Sequence, residues 1–364
     1  MLIYIILILA IGLCGLYPYS QRNSKQSRKI FLFLSFSMMT IILGFRGANV
    51  GEDTNHYLNI FKHAQYVKWS DMLHSTGMRT AYFTDQYGYT DTIENGFLVI
   101  AKIVHWFTDN GNVFLFVVAG ITCFLFAKFI YDNCEKVVFP TIIFLCESTF
   151  MIAFNGVRQI LAAAITVQAY TLLKEKKWKS AVIVILLASL IHNVSLICIA
   201  LLPMALIKPK KEYQSFKYAI LVAIASPFIV VFAQSIILRL FPRYTAYFSV
   251  NFWGNSLGGT TILWIAEFVL ILIMYKKKFK VKDSFKTSCL ILIYLACELM
   301  GLKITMFSRV GWFFRPYLMI FLPQCKYYFG KKTWRLVQGI LIVMLIFLYF
   351  SYASTPARTY TFCW

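Results

Sequence analysis

The sequence contains few charged residues and very few acidic ones. Asp, Glu, Lys and Arg together make up 14% of the 364 residues, with 15 acidic against 36 basic side chains. Beside 59% hydrophobic residues, so low a charged fraction excludes an ordinary soluble domain. The basic residues stand in short segments between apolar runs, where membrane topology explains them. The formal charge of +21 therefore does not predict nucleic-acid binding.

The motifs of metal and cofactor chemistry are also missing. The nine cysteines are scattered singly, mostly inside apolar runs, and no C-x-x-C occurs, so neither a disulfide framework nor a metal site is predicted. The sequence has no glycine-rich phosphate loop, no H-E-x-x-H and no G-x-S-x-G. We expect no metal and no cofactor.

Long apolar runs recur over the whole chain. Many approach the roughly 20 residues that an α-helix needs to cross a bilayer, and they do not alternate as the strands of a β-barrel do. The sequence predicts an all-α, polytopic integral membrane protein, a single transmembrane domain over 1–364 with about 10–12 transmembrane helices. Residues 1–19 have no basic leading region and no small-residue cleavage site, so we expect a retained first span.

Basic loops set the expected orientation. By the positive-inside rule five segments are cytoplasmic: 21–29, 174–179, 208–217, 276–286 and 326–335. The later spans follow as 30–45, 112–131, 138–154, 157–173, 218–240, 260–275, 287–302, 311–324 and 336–352. This threading predicts a large external loop at 46–111 with an interfacial or re-entrant helix at 96–108. It also predicts a re-entrant or short-helix hairpin at 180–207 and an external segment at 241–259.

Arginines collect at the external ends of the predicted helices. Arg46 ends a span, and its position has a non-functional explanation, since arginines commonly snorkel to the interface. Arg158 and Gln159 stand in the first turn of a small-residue helix, where a guanidinium facing protein needs an anionic partner or ligand. Arg309, with Lys303 nearby, has a similar position. Three arginines around an external cavity suit a pyrophosphate, because the guanidinium pairs with two phosphate oxygens at once.

Candidate acid–base residues lie on the same side. A lone histidine such as His192 is usually structural, but at the tip of a hairpin it could act as a general base. Asp53 is the second candidate, as a base or a ligand of sugar hydroxyls. Its alternative is a helix cap, because Asp53 precedes a helical pattern with Tyr57, Phe61 and Ala64 on one face. Glu94, just before the interfacial helix, is similar in kind.

At these residues the chain resembles the EpsG-like family of Wzy-type polysaccharide polymerases. The resemblance is carried by FRGANVGEDTNHYLNIF (45–61), ENGF (94–97), VRQILAAAI (157–165), SLIHNVSL (189–196) and SRVGWFFRPYLMIFLP (308–323). Gly51, Asp53, Thr54 and Tyr57 fill the pattern Gly-x-Asp-Thr followed by Tyr. One departure is the long insert between Phe61 and Glu94.

The resemblance implies a metal-independent glycosyl transfer on the external face of the bacterial cytoplasmic membrane. The growing glycan on undecaprenyl pyrophosphate passes to another lipid-linked repeat unit, in a cleft open to membrane lipid. Arg158 and Arg309, with Arg46, would stabilise the departing pyrophosphate. His192 or Asp53 would be the base, and Gln159, Tyr57 and Glu94 would help to bind substrate. A chain-length regulator and a flippase are the expected partners.

Three other functions compete with this interpretation. A GT-C-type glycosyltransferase that uses a polyprenyl phosphate would have a similar architecture, would add a single sugar and would use Asp53 as its base. A flippase or transporter of lipid-linked glycan would show internal repeats, and none is evident. An O-acyltransferase would use a membrane histidine on the cytoplasmic face, whereas His192 is predicted outside.

Overall fold

The computed structural model describes residues 1–75, 78–206, 216–225, 259–281, 283–302 and 304–364. Most of the predicted span 218–240 and of the external segment 241–259 lies outside these ranges, as does Lys303. The described residues form two compact units. The first comprises Met1–Ile199 with Tyr349–Trp364, and the second comprises Ala200–Leu348.

The first unit is helical apart from one β-hairpin, and long helices alternate with short ones. Its helices are α1 Leu2–Cys14, α2 Leu16–Ser20, α3 Lys25–Gly44, α4 Thr54–Ala64, α5 Trp69–Leu73, α6 Asn95–His105, α7 Gly111–Asn133, α8 Val138–Cys146, α9 Thr149–Ile152, α10 Val157–Lys174 and α11 Trp178–Ile191. A 3-10 helix, Asn193–Ala200, follows α11. Another, Pro356–Arg358, lies in the tail.

In the second unit, all the secondary structure of the described residues is helical, and turns join the helices. Its helices are α12 Leu201–Leu206, α13 Phe216–Ala225, α14 Gly259–Lys276, α15 Ser284–Gly301, α16 Thr305–Gly311, α17 Leu318–Gln324 and α18 Lys331–Ala353, with 3-10 turns at Arg315–Tyr317 and Cys325–Tyr328. The residues of α18 from Tyr349 onward group with the first unit.

Six helical stretches in the described part of the chain are long and apolar enough to cross a membrane. They are Leu2–Ser20, Lys25–Gly44, Gly111–Asn133, Gly259–Lys276, Ser284–Gly301 and Lys331–Ala353. The prediction of an all-α, polytopic membrane protein is confirmed. Helices also occupy the predicted interfacial segment and most of 180–207, while the position of both relative to the bilayer stays a prediction.

Two predicted spans are interrupted. The segment 138–154 breaks between α8 and α9, where Glu147 and Ser148 are buried and Ser148 has a left-handed φ of 62°. The segment 311–324 begins as turns and 3-10 helix, because Pro316 cannot donate a backbone hydrogen bond to a continuous helix. Each break falls at a polar or proline-containing pair, Glu147–Ser148 in the first segment and Arg315–Pro316 in the second.

The insert between Phe61 and Glu94 folds as α5 and an antiparallel β-hairpin. Strand β1 spans Arg79–Thr84 and β2 spans Thr90–Glu94, with Arg79 opposite Glu94. The hairpin turn is held by Asp85, whose Oδ1 accepts the backbone N–H groups of Tyr87 at 2.9 Å and Tyr89 at 2.8 Å. The hairpin leads directly into α6 and so fixes the end of β2 at the start of that helix.

The tail after α18 pairs with the segment that follows α3. The Gly47 N–H donates to the Thr361 carbonyl at 2.8 Å, the Cys363 N–H donates to the Phe45 carbonyl at 3.1 Å, and the Gly51 N–H donates to the Ala357 carbonyl at 2.6 Å. These bonds fasten the first motif, 45–51, to residues more than 300 positions away in the sequence.

Helices α3 and α7 pack most tightly at Gly44. A Cβ atom at Gly44 would lie 2.6 Å from the Cα of Phe116, closer than real Cβ atoms come to backbone. On the facing side, a Cβ at Gly120 would meet only the Cγ2 of Thr40, at an ordinary 3.7 Å. Small residues of this kind let membrane helices approach closely.

We expect Gly44→Ala to destabilise the protein by ~1–3 kcal/mol, because the added methyl forces two spanning helices apart. Thermal unfolding in detergent, followed by tryptophan fluorescence, measures the effect as a lower Tm. Gly120→Ala is the matched control in the same helix pair and should leave the Tm unchanged or slightly higher. Equal Tm values for both variants would contradict the close packing at Gly44.

Candidate active site

Glu94 is a buried carboxylate at the junction of β2 and α6. It is the last residue of β2 and immediately precedes Asn95, the first residue of α6, and its side chain is 1% exposed. The hairpin register sets Arg79 opposite it, with Nη1 3.1 Å from Glu94 Oε1. Arg79 is further held by the Thr92 carbonyl at 2.6 Å. The strand pair thus supplies the first cation to this carboxylate.

Arg158 and His192 approach the same carboxylate from two other helices. Arg158, the second residue of α10, donates from Nη1 to Glu94 Oε2. His192 follows the last residue of α11, and its Nδ1 lies 3.3 Å from Glu94 Oε1. Arg158 and His192 are 18% and 21% exposed. We call Glu94, Arg79, Arg158 and His192 the Glu94 cluster.

Close packing of α6 on α11 brings Glu94 and His192 together. A Cβ atom at Gly96 would lie 2.7 Å from the Leu190 carbonyl oxygen, so only glycine allows this approach. Gly96 is two residues after Glu94, and Leu190 is two residues before His192. The glycine of the ENGF motif therefore has a direct structural role.

The Glu94 carboxylate is charged and leaves the cluster with excess positive charge. Burial alone raises the pKa of Glu94. The hydrogen bond with His192 and the charges of Arg158, His192 and Arg79 have a larger, opposite effect, and the pKa falls to about 2. Two guanidiniums therefore face one carboxylate. Such a site can bind an anion at the exposed edges of the guanidiniums.

Arg46 is buried, with 1% of its surface exposed, and its hydrogen bonds go to other groups than Glu94. Its Nε donates to Thr54 Oγ1 at 2.9 Å, its Nη1 donates to the Leu43 carbonyl and its Nη2 donates to the Phe154 carbonyl at 3.4 Å. Burial lowers the pKa of Arg46 to about 10, which still leaves it protonated at neutral pH. Arg46 thus links the end of α3 to the start of α4 and to the loop before α10.

Tyr57 and Gln159 are buried, whereas Asp53 is exposed. Helix α4 begins at Thr54, as predicted, with Tyr57, Phe61 and Ala64 on its buried face, although the Asp53 side chain makes no capping hydrogen bond. The Tyr57 hydroxyl donates to the Asn155 carbonyl at 3.1 Å and interacts with Arg158. Tyr57 is therefore next to the Glu94 cluster, and Gln159 follows Arg158 in α10.

Arg309 belongs to the second unit, where it is an exposed residue of α16. That unit has its own buried ion pair, which the sequence gave no reason to expect. Arg315 Nη2 lies 2.8 Å from Glu298 Oε1, and its guanidinium lies over the Tyr294 ring at 5.2 Å. Glu298 is inside α15, one of the helices long enough to span a membrane.

Sequence reasoning missed Arg79, the second guanidinium that pairs with Glu94. The insert has no helical period, and without the hairpin register nothing connects Arg79 with Glu94. Lys102 in α6 was also missed. It donates to the carbonyls of Ala64 at 3.0 Å and Val67 at 2.6 Å, at the end of α4, and so attaches α6 to α4. Among the described residues, no three His, Cys, Asp or Glu side chains converge as metal ligands would.

We expect Glu94→Gln to destabilise the protein by ~3–5 kcal/mol, because it leaves Arg158 and Arg79 without their carboxylate. Thermal unfolding in detergent measures the loss. Glu175→Gln is the control, since Glu175 pairs with Lys177 at 2.7 Å on the surface, where such pairs contribute little. A Tm for Glu94→Gln equal to that of the control would show that the cluster is not a stabilising unit.

The stability that Glu94 contributes should decrease as the pH falls. Because the folded-state pKa of Glu94 lies below its ordinary value of 4.5, the contribution is complete above pH 4.5 and is lost as the pH falls through about 2. The Tm difference between wild type and Glu94→Gln should therefore narrow between pH 4.5 and pH 2. A difference that stays constant over this range would mean that the carboxylate contributes no charge.

A comparison with protein families identifies the family of this chain. The EpsG family model matches residues 29–363, nearly the whole chain. Neither the curated proteins nor the solved structures contain a match. The match covers every described residue of the Glu94 cluster, together with Arg46, Asp53, Tyr57, Gln159 and Arg309. By this match, the chain is a multi-pass membrane protein of the EpsG family.

Proposed function

We propose that this protein is a polysaccharide polymerase that joins oligosaccharide repeat units carried on undecaprenyl pyrophosphate. Membership of the EpsG family is consistent with a role of this kind. The observation that carries the proposal is the Glu94 cluster, in which a buried carboxylate holds two guanidiniums and an imidazole at one place. The reaction needs both an anion site and a base, and this cluster offers both.

The pyrophosphate of the donor binds at Arg158 and Arg79. As the bond between the anomeric carbon and the pyrophosphate oxygen breaks, negative charge develops on the leaving group. Fixed cations stabilise that charge without rearranging, which is the main source of catalysis in reactions of this type. The Arg158 side chain is 18% exposed beside Glu94, so part of its guanidinium can face the ligand.

His192 takes the proton of the attacking hydroxyl. His192 Nδ1 lies 3.3 Å from Glu94 Oε1, so the tautomer with its proton on Nδ1 is favoured and Nε2 is the basic nitrogen. The acceptor oxygen then bonds to the anomeric carbon, its proton goes to Nε2 and undecaprenyl pyrophosphate leaves. Glu94 thus positions the base and balances the charge that forms on it, as carboxylates do beside other catalytic histidines.

Arg46 acts by positioning, since its donors are used within the protein. Tyr57 and Gln159 support Arg158, while Arg309 is proposed to bind the second lipid pyrophosphate. The reaction takes place on the external face of the cytoplasmic membrane, where both lipid substrates reach the site from the bilayer. A flippase supplies those substrates, and a chain-length regulator acts on the product.

A single-sugar transferase is the second candidate, and one observation favours it. Asp53 is exposed at the start of α4 and makes no capping bond, so its carboxylate is accessible as an alternative base. In that case the donor is a polyprenyl-phosphate sugar, and His192 has only a structural role.

We expect Arg158→Ala and His192→Ala to abolish long polymer in a deletion strain that carries each variant. The strain should accumulate single lipid-linked repeats, seen by glycan profiling, while immunoblotting shows the variants in the membrane. Arg335→Ala and His74→Ala, at exposed positions, are the matched controls and should restore full polymer. Polymer made by Arg158→Ala would exclude this site, and a missing or truncated single repeat would favour the single-sugar transferase.

A further inference from the structure

A second polar group lies beside the Glu94 cluster and has no part in it. Tyr82 donates from its hydroxyl to Asp91 Oδ2 at 2.5 Å, and both oxygens are near the Nδ1 of His56, at 3.5 Å from the tyrosine and 3.8 Å from the carboxylate. His56 is 40% exposed and Asp91 is 29% exposed. Tyr82 is buried. The Asp91 carboxylate and the His56 imidazole are therefore accessible to solvent, and the buried Tyr82 hydroxyl holds the carboxylate in place.

The hairpin is irregular at this group. Ala81 pairs with Thr92 and Phe83 pairs with Asp91, so Tyr82 is an extra residue between two successive pairs. Bulges of this kind redirect a side chain and are frequent next to active sites. Here the bulge accompanies a tyrosine that points inward to Asp91. Burial, and then the hydrogen bond with Asp91, raise the pKa of Tyr82, so it stays protonated as the donor.

Tyr57 connects this group with the Glu94 cluster. Its ring centroid lies 5.9 Å from that of His56, and its hydroxyl interacts with Arg158. Arg158 is also close enough to Tyr82 to act on it electrostatically. Both groups belong to the first unit. The two groups are therefore neighbours in the first unit, one with excess positive charge and the other with a carboxylate.

The chemistry of the second group suits a neutral polyol. Asp91 repels a phosphate, so the anion belongs at the guanidiniums. One carboxylate with one imidazole is too small a set for a metal, and no third ligand converges there among the described residues. A carboxylate accepts from two adjacent hydroxyls, and an imidazole donates or accepts, which is what sugar recognition requires.

We propose that His56 and Asp91, with Tyr82 as a positioning residue, bind the hydroxyl groups of the acceptor sugar. This inference rests on the proposed function. The reacting sugar of the donor is fixed through its pyrophosphate, whereas the acceptor reacts at its non-reducing sugar, away from its own pyrophosphate. It must be held by hydrogen bonds to its other hydroxyls, close to the base. The group at Asp91 supplies these bonds and sets which sugar is accepted.

The test separates acceptor from donor. The enzyme in lipid nanodiscs is given lipid-linked repeats extracted from the deletion strain as donor. The acceptor is the repeat-unit oligosaccharide released from the same lipid by mild acid and labelled, which can accept but cannot donate. Asp91→Asn and His56→Ala should raise the acceptor KM by about tenfold, as expected for one lost hydrogen bond to a charged group, with kcat and the donor KM unchanged.

Tyr82→Phe should raise the acceptor KM less, since Asp91 keeps its place but loses its orienting donor. Tyr87→Phe, which removes a hydroxyl from an exposed tyrosine of the same hairpin, should behave as wild type. An unchanged acceptor KM in Asp91→Asn, or an equal rise in the donor KM, would overturn the assignment.

Failure of the proposed function gives a different result. If wild type transfers nothing, the polymerase proposal is wrong, and direct binding of the same oligosaccharide, measured by saturation-transfer NMR, decides the second site. Binding to wild type that is lost in Asp91→Asn supports a sugar site. Equal signals for both proteins, or none for either, refute it.

Discussion

The first unit depends on the contacts of one buried carboxylate, that of Glu94. Removing an ion such as Glu94 from solvent costs several kcal/mol unless partners replace the lost hydration. Its partners come from three separate elements, namely β1, α10 and the end of α11. The hairpin, the two helices and α6 can therefore only pack in an arrangement that brings these partners to one point. The same requirement that stabilises the fold also gathers the reactive groups.

Burial distinguishes two arginines that look alike in sequence. Arg46 and Arg158 both stand at the end of an apolar run, on the same predicted side of the membrane. The donors of Arg46 go to Thr54 and to two backbone carbonyls, whereas Arg158 shares one carboxylate and keeps part of its edge exposed. Arg46 therefore stabilises the fold, whereas the Arg158 guanidinium can still bind a ligand.

The sequence predicts the helices and the polar residues at their ends, but not which of those residues meet. Apolar length and basic loops are local properties, so α3, α7 and α10 begin and end close to the predicted residues. The start of α4 also follows from local signals. Contact between Glu94 and His192 depends on two helices touching at Gly96, and no periodicity records that approach. The contact of Arg79 with Glu94 depends on the strand register, which cannot be predicted before the hairpin is known.

The pairing of residues 45–51 with the tail has a consequence for how the protein is made. Gly47 is synthesised 314 residues before its acceptor, Thr361, and every spanning helix from α7 onward is translated between them. Contacts at such separation form last, because the whole intervening loop must close first. The first motif to leave the ribosome is thus among the last to become ordered. A chain arrested before residue 357 has helices in the membrane but an unfinished first motif, with the N–H groups of Gly47 and Gly51 lacking acceptors.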